Sequence, residues 1–147
     1  MGLQDYRRIF YMLLLFGTVI YALWRGRTPE RLVALTIALD VALSMLAASP
    51  FEMHFLRMEV GVALADTLAL VALAAIVKLA GKPWIIWVTG LKLFQVVSHL
   101  PILLQPPDVS AKAYYVIQAA LSYPELILLI VATSRARSEK HRMPALD

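Results

Sequence analysis

The sequence has no cysteine, and only 16% of its 147 residues are charged. The first absence excludes disulfides, thiolate metal sites and cysteine nucleophiles, and it leaves the redox compartment open. The second excludes an ordinary water-soluble surface, which needs more charge than this. Several motifs are missing too: there is no Gly-rich phosphate loop, no HExxH, no nucleophile elbow and no histidine pair within one helix that would suggest haem. These gaps argue against an enzyme, and no cofactor is expected.

What the chain has in abundance is apolar surface. It is 61% hydrophobic with a mean hydropathy of +0.72, more than a single small soluble core could bury, so the excess must face lipid. The net charge of +4 could suggest nucleic acid, but the basic residues sit in short clusters between apolar runs. That is the pattern of membrane topology, and no nucleic-acid partner is expected. No internal repeat, low-complexity tract or linker divides residues 1–147, which read as one domain.

Five runs approach the roughly 20 apolar residues that carry a helix across about 30 Å of hydrocarbon. They are Ile9–Trp24, Leu32–Ala48, Met58–Ala80, Trp84–Leu104 and Ala113–Thr133. The first follows Arg7 and Arg8 like a signal peptide, but it lacks a small-x-small cleavage site and reads as a retained helix. Gly26 with Pro29, Ser49 with Pro50, Gly81 with Pro83, and Pro106 with Pro107 punctuate the breaks. The expected fold is all-α, a bundle of five transmembrane helices.

The second run alternates with period two, as a barrel strand does, yet the other runs are continuously apolar and too long for strands of ~10 residues. As a helix, it places Ala34, Ala38 and Ala42 on one face and Thr36, Asp40 and Ser44 nearly opposite, which suggests packing on two sides. Basic residues set orientation. Arg7, Arg8, Arg57 and Lys112 fall on one side, four against nine on the other: Arg25, Arg27, Arg31, Lys78, Lys82, Arg135, Arg137, Lys140 and Arg142. The N-terminus is therefore expected outside and the C-terminus in the cytoplasm, in a bacterial inner membrane. Trp24, Trp84 and Trp87 at the inner borders, and Tyr6, Tyr114 and Tyr115 at the outer ones, fit interfacial anchoring. The segment Pro50–Leu56 reads as an amphipathic loop at headgroup level, and Arg135–Arg142 as a tail that fixes topology against anionic lipid.

The residues that carry chemistry are the polar ones inside the runs. An Asp or Lys at a helix centre costs about 2.5 to 3.5 kcal/mol, whereas each Leu, Ile or Val contributes about 0.3 to 0.6. The eight such residues in Leu32–Leu46 therefore hardly outweigh Asp40, and that helix needs polar partners. Positions seven apart differ by only about 20° around a helix. Glu59 and Asp66, Lys92 and His99, and Gln118 and Glu125 are each spaced so, with Gln95 and Ser122 on the same faces. Three consecutive helices thus carry polar stripes that can face one another.

Depth matching pairs Lys92 with Glu125 near the inner third and places Asp66, His99 and Gln118 in a second layer toward the outside, with Asp40 between them. A structural ion pair is the simpler account of Lys92 and Glu125. Asp40, Asp66, Glu59 and Glu125 outnumber the available cations, so either some hold a proton or a cation visits them. Asp66, within reach of His99 and of Glu59 at the outer entrance, is the expected carrier of charge. Glu52, His54, Glu59, Asp66 and His99 include possible metal ligands but match no ligand spacing, so no metal site is expected. Pro101 and Pro124 should bend their helices. The first helix adds no ionisable residue to the stripe; Gly17 and Thr18 give it a close-packing patch for a partner or lipid.

Three functions fit this pattern. The first is cation or proton-coupled transport by a homo-oligomer. The second is a noncatalytic subunit bound to partner membrane subunits. The third is a membrane enzyme or lipid-ligand protein using Asp66 and His99 as acid and base. Membrane lipids are partners in all three.

Overall fold

A computed structural model of the chain describes residues 3–47, 57–100 and 111–142, with side chains at 6–47, 60–100 and 116–138. Five helices make up these residues: α1 Leu3–Arg25, α2 Thr28–Ala47, α3 Arg57–Ala80, α4 Pro83–Ser98 and α5 Ala111–Arg142. Each helix packs on its neighbour in sequence, and α5 closes the bundle against α1 and α2.

Local chemistry explains the two described turns. Gly26 follows α1 and donates its N–H to the Ala22 carbonyl at 2.8 Å. A Cβ on Gly26 would sit 2.7 Å from Cβ of Glu30, so only glycine lets the chain turn this tightly. Glu30 reaches back from the first turn of α2 to accept the Arg27 N–H at 2.9 Å, satisfying a donor that the helix start leaves without a partner. At the other turn Gly81 adopts φ +59° and donates to the Val77 carbonyl at 3.0 Å, the left-handed cap that favours glycine. Lys82 is extended, and Pro83 then opens α4 with a φ already set for a helix.

Three helices are long and apolar enough to cross a membrane: Tyr6–Arg25, Val60–Ala80 and Val116–Ser138. The other two depart for identifiable reasons. Glu30, Arg31 and Asp40 interrupt the apolar character of α2. Described α4 has 16 residues, about 24 Å at 1.5 Å per residue. The expected extension of this helix to Leu104, and the bend at Pro101, lie outside the described residues. So do Pro50–Leu56, Pro106 and Pro107, and the side chains of Glu59, Tyr114 and Tyr115.

Two expectations need correction. The α2 helix is not packed on two sides: Glu30, Val33, Ala34, Ile37 and Asp40 are buried, while Ala42 is exposed and Ala38 and Thr36 only half-buried. The single buried stripe recurs every three or four residues, as one helix face does, so the period of two had no structural counterpart. Helix α5 does not stop at Thr133 but runs on to Arg142. Its 32 residues reach about 48 Å, which outlasts the ~30 Å of a hydrocarbon layer. The basic segment thus continues the helix instead of leaving it.

The apolar core gathers at the end of the bundle where Gly26 and Gly81 turn the chain. Val33 and Ile37 of α2, Leu73 and Ile76 of α3, Ile85 and Val88 of α4, and Leu126 and Leu129 of α5 interlock there. Outward, Leu13, Phe16, Ile20, Leu64, Leu68, Val71, Ile86 and Phe94 are all exposed, a continuous apolar exterior that a protein in water rarely shows.

Candidate functional site

Following each helix away from that core, the buried face turns polar at one common level. In α2 the change comes at Asp40, in α4 at Lys92, in α3 on approaching Asp66 and in α5 at Glu125. These four residues, with Gln95 and His99, are at most 5% exposed. The helix periods noted above bring them together from four different elements.

Lys92 is the centre. An ammonium group has three hydrogens to donate, and all are engaged: by Asp40 Oδ2 at 2.7 Å, by Asp66 Oδ1 at 3.3 Å, and by Gln95 Oε1, one turn along α4, in a short contact. Glu125 Oε2 lies 3.6 Å from the same nitrogen. Lys92 and Glu125 are thus within ion-pairing reach, as depth matching suggested. The finer geometry differs, because Lys92 spends its hydrogen bonds on Asp40, Asp66 and Gln95 and stands farther from Glu125, at 3.6 Å.

The second layer also assembles. His99 Nε2 is 2.7 Å from Asp66 Oδ2 and 3.2 Å from Gln118 Nε2. Gln118 also donates to the Gln95 carbonyl at 3.4 Å, which the Ser98 hydroxyl reaches at 2.7 Å. This carbonyl is open to side chains because α4 tightens at its end, where the His99 N–H turns to Val96 at 3.2 Å. Gln95 Nε2 donates to Ser122 at 3.3 Å, and Ser122 donates to the Gln118 carbonyl at 2.9 Å. Asp66 meets Lys92 through one oxygen and His99 through the other, so the two layers form a single network and Asp40 belongs to its Lys92 end.

Two carboxylate oxygens in this network have no partner. Asp40 Oδ1 and Glu125 Oε1 are buried without a hydrogen bond, which is costly for an ionised group away from water. The count of charge gives the reason. Three carboxyl groups surround one ammonium, and the imidazole is already engaged by Asp66.

Helix α1 also reaches the network, through a residue the sequence reading did not single out. Tyr11, half-buried, stands near Ser122 and lies in the field of Glu125, Lys92 and Asp40. Its ring stands edge-on to Tyr123 at 5.6 Å. Tyr11 and Thr18 are seven apart, the same spacing as the other stripes, which is the signal that could have marked α1 as well. Gly17 is not a close-packing contact within the chain, since a Cβ there would meet nothing within 4 Å. Close approach occurs instead at Gly61, where a Cβ would fall 2.6 Å from Ala47 of α2.

Among the described residues no group of three His, Asp or Glu side chains has the geometry to hold a metal ion. Compared with protein-family models, curated proteins and solved structures, the chain matches none. What fold and site define together is a class: an all-helical protein with three long apolar helices, compatible with integration in a membrane, that encloses a polar and charged network.

Proposed function

We propose that all five helices cross a bacterial inner membrane, N-terminus outside and C-terminus cytoplasmic, and that the network binds and releases protons while a cation or a proton-coupled solute moves across. The protein works as a homo-oligomer, because five helices form too narrow a bundle to enclose a route readily. The observation that carries this reading is the surplus of carboxyl groups around Lys92 with two oxygens lacking any partner. A network kept only to join helices gains nothing from unmatched acid, whereas one that exchanges protons needs a site that can be filled and emptied.

One observation favours a second reading. Lys92 has every hydrogen placed, and Gln95, Ser122, Gln118 and His99 link α4 to α5 by mutual hydrogen bonds, as in a noncatalytic subunit whose register is fixed by polar contacts. Flux separates the two. Protein reconstituted in liposomes should carry protons or cations down an imposed gradient, and Asp66→Asn, which keeps shape while breaking the charge link between the layers, should abolish the flux. Wild-type flux no greater than that of empty liposomes across several cations would leave the subunit reading.

A further inference from the structure

We propose that Glu125 is the member of the cluster that carries the exchangeable proton, as a neutral acid in the resting protein. The proposal rests on the proton-binding role above and gives it a residue.

The hydrogen bonds discriminate among the three carboxyl groups. Asp66 has both oxygens engaged, by Lys92 and by His99. Asp40 accepts a 2.7 Å charge-assisted bond, the kind that stabilises an ionised acid. Glu125 has the loosest contacts: one oxygen stands 3.6 Å from the Lys92 ammonium, farther than either aspartate, and the other has no hydrogen bond. It is 2% exposed. The groups that surround it are Tyr11 on α1, Asp40 on α2, Asp66 on α3, and Lys92 on α4. One ammonium already serves two aspartates at shorter range there, so a third ionised carboxylate would share a counter-charge that is already spent.

Pro124, just before Glu125, cannot donate to the Ala120 carbonyl, which loses its helical partner beside the acid. In the exchange the O–H bond of Glu125 breaks, its electron pair stays on the carboxylate, and the proton passes to water. Lys92 then faces the new negative charge.

Infrared spectroscopy of the purified protein tests the assignment. Wild type should show a protonated-carboxyl C=O band that shifts in D2O; Glu125→Gln should remove it, while Asp40→Asn and Asp66→Asn keep it. A band that survives Glu125→Gln, or its absence from wild type, overturns the assignment. Glutamine copies the shape and donor of the neutral acid, so Glu125→Gln should melt like wild type; if it alone fails to fold, Glu125 was ionised and the proposal is wrong. The band is independent of transport. A band without flux removes the transport reading alone, and flux without the band removes the Glu125 assignment alone.

Discussion

The two ends of this bundle are held by different forces. At the end of the Gly26 and Gly81 turns, Val33, Leu73, Ile85, Val88 and Leu129 meet without polar contacts between them. Toward the other end, Asp40, Asp66, Lys92 and His99 meet through directed bonds, with Glu125 3.6 Å from the same ammonium. Apolar packing in lipid has no hydrophobic drive behind it, since lipid tails are as apolar as leucine, and it gains mainly from close fit. A charge network tolerates fewer arrangements, because each misplaced partner leaves a buried charge exposed to nothing. The apolar end supplies shape, and the polar end specifies which helix faces which.

The largest effect should come from removing the centre of the polar end. Lys92→Met leaves the aspartates without their donor and should cost about 3 to 5 kcal/mol of stability in detergent unfolding, much of it recovered when Asp40→Asn and Asp66→Asn are added. Double-mutant cycles sharpen the point: coupling of Lys92 to Asp40 should exceed coupling of Lys92 to Glu125, matching 2.7 Å against 3.6 Å. The reverse order would contradict the hydrogen-bond geometry.

Much of the polar end was legible because a period of seven on neighbouring helices is geometry that any α-helix obeys. Lys92, His99, Gln118 and Glu125 met as their spacing implied. What the spacing could not show was how one ammonium divides three hydrogens among four acceptors, which depends on side-chain reach and on where Gln95 stands. Tyr11 was less legible because α1 has no charged residue inside its span to mark a polar face, and a phenol is polar without being charged at neutral pH. The apolar end was less legible. Gly26 and Gly61 are as plain in the sequence as Gly17, and only the facing atoms, Glu30 and Ala47, tell tight positions from open ones.

Those glycines give an intermediate effect at the apolar end and at the α2–α3 contact. Gly26→Ala and Gly61→Ala force contacts inside van der Waals distance and should each cost about 1 to 3 kcal/mol, whereas Gly17→Ala should stay within about 0.5 kcal/mol. Thermal unfolding of the three variants in one detergent makes the comparison. Equal losses at Gly17 and Gly61 would mean that the α1 face is covered in the working protein. The smallest effect should be at the cap: Glu30→Ala removes the acceptor for the Arg27 N–H and should cost about 1 kcal/mol, with the carboxyl infrared band unchanged.

The account turns on whether α2 and α4, the two helices that carry Asp40 and Lys92 and that are not among the long apolar spans, cross the membrane with the others. Reporter fusions at Gly26, Pro50, Gly81, Pro107 and the C-terminus measure this directly. The account predicts strict alternation, with Gly26, Gly81 and the C-terminus cytoplasmic and Pro50 and Pro107 outside. Gly26 and Pro50 on the same side would contradict it, because α2 would then not cross and Asp40 could not meet Lys92 within the bilayer.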